Sequence, residues 1–186
     1  MIEYEKINVE DKEEIIRLYE GYLNEGKSVG NLINLYFEKG QYYGYKAIND
    51  DDMVGCFTFV KGIEFTYPQP ELEKELCKVT RGERVETVDT LVVLPKYRRA
   101  GIAKELALRN LEGLQERGTN IYVVEIWIYP DGSIPARKIY ESMGEVVYSK
   151  KIPDFYKDLY KYGLKCPICG KLCKCGALVE AIKIDR

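Results

Sequence analysis

The segment Leu91-Val92-Val93-Leu94-Pro95-Lys96-Tyr97-Arg98-Arg99-Ala100-Gly101-Ile102-Ala103-Lys104 constrains this fold more than any other part of the chain. Val85 to Leu94 is a β-rich run that Pro95 ends. From about Gly101 to Arg117, Ala103, Ala107, Leu111 and Leu114 recur at helical spacing, and Gly118 supplies a stop. In such a strand–loop–helix the N–H groups of the loop and first helical turn lack intrahelical partners and surround one point. The helix dipole adds partial positive charge there. A phosphate or pyrophosphate is the natural ligand. Gly101 permits close backbone approach, Ala103 is small enough not to block it, and Arg98, Arg99 and Lys104 add charge. The same short spacing also fits an ordinary strand-to-helix turn whose basic residues are solvated.

Around this segment the pattern predicts a mixed α/β domain with one central sheet. Ile2 to Ile7 alternates like a short strand, and Asn8 or Asp11 is placed to cap a helix running to about Asn24. A second helix is expected over Val29 to Lys39, stopping at Gly40. Tyr43 to Ile48 and Met53 to Lys61 read as strands joined by the acidic turn Asn49-Asp50-Asp51-Asp52. Pro68 and Pro70 interrupt the next stretch, in which Glu71 to Cys77 has the pattern of a short helix. Ile121 to Ile128 is nearly continuous β-branched or aromatic sequence, as in a buried strand. After the turn Asp131-Gly132, Ser133 is expected to cap a helix from Ile134 to Met143. Strands are expected at Glu145 to Lys150, near Phe155 to Leu164, and at Ala177 to Ile184.

Composition narrows the function. Acidic and basic residues nearly balance at a net charge of -2, which argues against a surface built mainly for nucleic acid. No run of eighteen apolar residues is present, so no membrane span is expected. The start Met1-Ile2-Glu3-Tyr4-Glu5-Lys6 lacks signal-peptide features, and a cytoplasmic protein is expected. There is no histidine, which leaves Glu, Asp, Tyr, Cys or water to move protons.

Two motifs carry a family resemblance. Arg98-Arg99-Ala100-Gly101-Ile102-Ala103, with its approach Val93-Leu94-Pro95-Lys96-Tyr97, resembles the Gln/Arg-x-x-Gly-x-Gly/Ala loop of the GNAT acetyltransferases. Downstream, Ala136-Arg137-Lys138-Ile139-Tyr140-Glu141-Ser142-Met143-Gly144 resembles that family's helix ending in Tyr-Glu-x-x-Gly. The resemblance implies an acetyl-CoA-dependent N-acetyltransferase fold over residues 1–164, with the pyrophosphate of the cofactor on the loop. It also implies that backbone at Leu91, Val92 and Val93 pairs with the pantetheine arm in a splayed gap against the strand at Ile121 to Ile128. An amine attacks the acetyl carbonyl directly in this family, and an N–H near Val93 would stabilise the oxyanion. Tyr140 is the matching donor to the departing thiolate. One departure stands out: Ser133 occupies a place where many relatives carry an Asn that helps to hold the cofactor arm.

The base is not fixed by the motifs. Glu86 and Asp89 lie on the strand leading into the loop, where related enzymes often carry an acid. Their odd spacing puts them on opposite faces, so they are not expected to enter one site together. Glu86 is ranked first. Glu125, flanked by Val124 and Ile126, is a further candidate whose pKa burial would raise, and a bound water is another.

The tail, residues 165–186, carries Cys166-Pro167-Ile168-Cys169-Gly170 followed by Cys173 and Cys175. The first pair closely resembles a zinc-ribbon knuckle, and all four thiolates together suit tetrahedral zinc in a structural role. The one-residue gap in the second pair departs from the usual spacing, so iron–sulfur binding or disulfides stay open. Metal is expected to clamp a hairpin between the strands at Phe155 to Leu164 and Ala177 to Ile184. Cys56 and Cys77 read as packing residues.

Three readings follow: an N-acetyltransferase, a catalytically inactive coenzyme A sensor on the same fold, or a knuckle that recruits nucleic acid or protein through Lys161, Lys165, Lys171 and Lys174. Acceptor specificity is expected from the first two helices and Glu64 to Gly82, whose tyrosines and acids fit a cationic small amine or a lysine-bearing peptide. The sequence leaves a homodimer open.

Overall fold

The computed structural model describes residues 1–23, 27–65 and 69–184. In chain order the elements are β1 (Glu3–Lys6), α1 (Lys12–Tyr22), α2 (Lys27–Glu38), β2 (Tyr42–Asn49), β3 (Asp52–Lys61), α3 (Pro70–Val79), β4 (Val85–Val93), α4 (Ile102–Glu116), β5 (Ile121–Ile128), α5 (Arg137–Glu141), β6 (Glu145–Ile152) and β7 (Gly176–Lys183). The strands form one seven-stranded sheet in the order β1-β2-β3-β4-β5-β7-β6. β4 and β5 run parallel, and the other described neighbours are antiparallel.

Two apolar layers sandwich the sheet. One packs α1, α2, α3 and the stretch 155–175 against Tyr42, Cys56, Val60, Val92, Val123 and Val179. The other packs α4 and α5 against Phe57, Phe59, Tyr122, Val124, Ile126 and Ile182. β3 lies between both layers, which is why eight of its residues, Met53 to Val60, are buried in a row. β6 forms an edge, and exposed Lys150 and Lys151 blunt it against further pairing.

Local chemistry explains most boundaries. Asn8 caps a single 3₁₀ turn by accepting from the Glu10 N–H, Asp11 returns a bond to the Asn8 N–H, and α1 begins at Lys12. Asp50 and Asp51 both hold positive φ, 49° and 69°, the pair a tight hairpin turn needs between β2 and β3. Pro70 opens α3 at a position where its missing N–H costs nothing. The expected helix end at Asn24 lies outside the described residues, as does Pro68.

Two expectations are corrected. Phe155 to Leu164 is not a strand: Pro153 and Asp154, the latter at φ 49°, turn the chain out of β6, and Leu159–Tyr162 forms a 3₁₀ turn. Its apolar residues Phe155, Tyr156, Leu159 and Leu164 serve as core instead. The hairpin that spans the cysteines is therefore β6–β7, with 153–175 as its connection. Ser133 does not cap a helix either. Its carbonyl accepts from the Tyr129 N–H and its N–H donates to Asp131 Oδ1, closing a turn, while helical structure begins only at Arg137. β7 also inserts between β5 and β6, so residues 176–183 form an interior strand of the main sheet.

Candidate active site

β4 and β5 pair only at Val85–Ile121, Glu86–Tyr122 and Thr87–Val123, and part beyond Thr87. A bulge lies at the point of departure. Thr58 pairs with Thr90 and Phe59 with Val88, so Asp89 is the extra residue on β4. A bulge bends its strand and increases the local twist. The gap opens into a cavity of about 580 Å³ that runs through the sheet from the α4 side to the α1–α2 side.

On the α4 side stands the loop. Gly101 caps α4 at φ 82°, a left-handed conformation that suits glycine, and Arg99 is also left-handed at φ 64°. No acceptor among the described residues takes the N–H of Arg99, Ala100, Gly101, Ile102, Ala103 or Lys104; the first helical bond is Glu105 N–H to Gly101 carbonyl. These donors are what an oxyanion-bearing ligand requires. Arg98 Nε donates to the Val93 carbonyl at 2.9 Å, tying the loop to the end of β4. Arg98 and Ala103 line the cavity together with Leu91, Val92 and Val93. Arg99, Ala100 and Gly101 are exposed at its mouth, whereas the Ile102 side chain is buried in the core. Ser133 is exposed and lies outside the cavity wall.

Three acid–base candidates sit differently. Glu86 is on the α4 face of β4, held by Arg117 Nε and Nη2 at 2.8 Å each and by Thr119 Oγ1 at 2.9 Å. It does not line the cavity. The first-ranked base therefore belongs to a buried ion pair joining β4 to the end of α4. Asp89 does line the cavity, on the opposite face as its spacing from Glu86 predicted. Its Oδ2 accepts from the hydroxyls of Tyr42, Thr90 and Thr58, and its Oδ1 has no partner among the described residues. Burial raises its pKa, against the lowering effect of those three donors.

Glu125 lines the cavity from β5, on the same face as Asp89. The Tyr156 hydroxyl donates to its Oε1 at 2.6 Å, and Oε2 has no partner among the described residues. Burial lifts the Glu125 carboxyl to about 7, only partly opposed by that hydrogen bond. The two carboxylates thus flank the gap alike, each with one oxygen anchored by a tyrosine and one left open.

Tyr140 projects from α5 into the same wall. Its ring packs edge-on against Phe57 at 5.7 Å, and its carbonyl accepts from Tyr122. Its hydroxyl has no partner among the described residues, and burial raises its pKa, so it stays protonated as a donor must. Tyr19, Tyr22, Tyr36, Phe65 and Trp127 complete the α1–α2 side of the cavity. Sequence reasoning missed Tyr156 and Trp127. The available signal was Pro153-Asp154, a pair that turns the chain and takes Tyr156 out of a strand.

The four cysteines Cys166, Cys169, Cys173 and Cys175 gather with all sulfurs within 4.8 Å of one another. Cys166–Cys175 and Cys169–Cys175 separations are 3.9 and 3.6 Å. Thiolates on one tetrahedral zinc stand about 3.8 Å apart, given a metal–sulfur bond of about 2.3 Å. Gly170 turns the knuckle at φ 74°, its N–H bonding the Cys166 carbonyl at 2.8 Å, and the Cys175 N–H reaches the Cys173 sulfur at 3.4 Å. This donor set fits a metal ion. Among the described residues no helix is long and apolar enough to cross a membrane.

The fold has many relatives. Arabidopsis thaliana NAA60, solved with acetyl-CoA, superimposes at a TM-score of 0.71 with 15% identity over 99% of each chain. The NatC complex bound to Gag peptide and CoA gives 0.68 and 17% over 99% of each chain. The ribosomal-protein-S18-alanine N-acetyltransferase of Escherichia coli gives 0.64 and 14% over 100% of this chain and 96% of its own. No curated protein matches the chain significantly in sequence. A family model described as the acetyltransferase (GNAT) family matches residues 10–144, most of the chain and both motifs, and the protein belongs to that family of acyltransferases.

Proposed function

We propose that this protein transfers the acetyl group of acetyl-CoA to a primary amine by direct attack, with Glu125 as general base and Tyr140 as general acid. The observation that carries this reading is the splay itself: free amides at one mouth, an unpaired β4 edge along it, and two acid–base groups on its walls. Relatives of the same fold solved with acetyl-CoA and with CoA, one of each, support the cofactor. In this reading Arg99 to Lys104 hold the pyrophosphate, and the β4 edge at Leu91, Val92 and Val93 pairs with the pantetheine arm. The amine lone pair attacks the thioester carbonyl and the carbon–sulfur bond breaks. Beforehand the bound ammonium gives up one proton to Glu125; the Tyr140 phenol then protonates the leaving thiolate, the surplus proton on the new amide nitrogen restores that phenol, and an N–H near Val93 holds the oxyanion. A base near 7 is half ionised at neutral pH, which suits this work without histidine. Asp89 is assigned to binding the cationic form of the acceptor rather than to proton transfer.

Cys166, Cys169, Cys173 and Cys175 are assigned to structural zinc. Four thiolates fill the coordination shell and leave no open position for chemistry, so the ion would order the chain around it and take no part in the reaction itself. Metal analysis of the purified protein should give one zinc per chain.

The test is amine-dependent release of coenzyme A, measured with small amines and with peptides, since one structural relative is solved bound to a peptide and CoA. Turnover that Tyr140→Phe reduces supports the enzyme. A folded protein that binds acetyl-CoA but acetylates nothing favours the sensor reading.

A further inference from the structure

The cavity does not stop at the acetyltransferase elements: Pro167 and Ile168, the two residues between Cys166 and Cys169, also line it. Cys166, Cys173 and Cys175 are buried, whereas Ile168 is 50% exposed at the cavity mouth. A half-exposed isoleucine held on a knuckle turn is an apolar wall awaiting a ligand group.

A second connection reaches the same place. The Tyr156 N–H donates to the Cys175 carbonyl at 3.4 Å, and the hydroxyl of the same residue donates to Glu125. The Tyr156 ring also packs edge-on against Trp127, centroids 5.5 Å apart. Cysteine backbone, Tyr156, Trp127 and Glu125 thus form one contact chain. By contrast, the free amides of the loop lie on α4, on the other side of the sheet.

We propose that the cysteine knuckle builds part of the acceptor subsite: its tip, Pro167-Ile168, contacts an apolar or aromatic body carried beside the acceptor amine, so metal loading sets acceptor affinity and leaves cofactor affinity alone. This rests on the N-acetyltransferase reading. Its chemistry follows from the walls. Trp127, Tyr36 and Phe65 face the same space as Ile168, and the open oxygens of Asp89 and Glu125 await a cation. An amine on an aromatic body satisfies both, whereas a polyamine or aminosugar would leave the apolar wall against polar groups.

The experiment uses the full-length, metal-loaded protein with 2-phenylethylamine as acceptor probe. Ile168→Asp should raise the KM for this amine about tenfold, with zinc content and acetyl-CoA affinity unchanged. Ile168→Val should restore it. Leu172→Asp, also on the knuckle but 80% exposed and outside the cavity wall, should leave the KM alone. A readout independent of turnover comes from Trp127, the one tryptophan of the chain. Chelation should shift its emission to the red and increase acrylamide quenching, while calorimetry with acetyl-CoA gives the same Kd within about twofold. An unchanged KM in metal-replete Ile168→Asp overturns the proposal, as does Trp127 emission indifferent to metal. Preference for spermidine over 2-phenylethylamine overturns the acceptor class. Acetyl-CoA binding without acetylation of any amine refutes the function proposed above instead, and the Trp127 measurement then still decides whether the knuckle closes this cavity.

Discussion

Replacing Glu125 with Gln should make the protein more stable and less active, and the two effects should share one pH dependence. The Glu125 carboxyl is raised from 4.5 to about 7 by burial, which corresponds to about 3 kcal/mol of preference for its neutral form. Water in the open cavity screens the ionised form, so about 1–3 kcal/mol is expected. Because the folded pKa lies above the unfolded one, the fold holds the proton more tightly between 4.5 and 7. Stability therefore falls as pH rises through that window, and above 7 the wild type carries the full cost. The neutral amide of the Glu125→Gln variant would carry none of it. Urea unfolding should show the two proteins equally stable at pH 4.5 and the variant ahead by about 1–3 kcal/mol at pH 8.5. In heat denaturation this is a gain of roughly 2–12 °C for a chain of this size. In the wild type kcat/KM should rise through a lower limb near 7. The variant should lose that limb and about 10²–10⁴ in rate. A variant with full activity, or with a stability gain at both pH values alike, refutes the assignment of Glu125.

Other consequences can be measured directly. Tyr140→Phe keeps the ring on Phe57 and the carbonyl for Tyr122, so it should lose about 10²–10⁴ in kcat with a stability change under about 1 kcal/mol. Arg117→Ala leaves the Glu86 carboxylate buried with Thr119 alone, and should destabilise by about 3–5 kcal/mol in urea unfolding. Restored stability in the Glu86→Gln, Arg117→Ala double variant would support the ion-pair role. Asp89→Asn should raise the acceptor KM more than it lowers kcat, read from initial rates, because Asp89 Oδ1 is assigned to binding.

How legible the site was varied with the range of the interactions. The strand–loop–helix could be read because Pro95, Gly101 and the apolar stripe of α4 are local signals; that Gly101 caps α4 in a left-handed conformation is added by the structure. The opposite facing of Glu86 and Asp89 followed from strand parity alone. What Glu86 does was invisible, since its partner Arg117 lies 31 residues away. Glu125 drew notice through its apolar neighbours, but its partner Tyr156 arrives from a segment misread as strand. There the apolar spacing of Phe155 to Leu164 outweighed Pro153 and Asp154, although those two residues break the chain direction. The Asp89 bulge and the insertion of β7 between β5 and β6 are choices of pairing, and a single strand's pattern does not encode its neighbour. The cysteine spacing announced a knuckle. That its tip reaches the cavity is tertiary information only.

The most direct test of the account is a calorimetric titration of the purified protein with acetyl-CoA, with Gly101→Glu as control. Glutamate there forces a side chain into a left-handed backbone and sets a negative charge among the free amides. Saturable one-to-one binding that vanishes in the folded control is the predicted result. No binding by the folded wild type, or equal binding by both proteins, would contradict it.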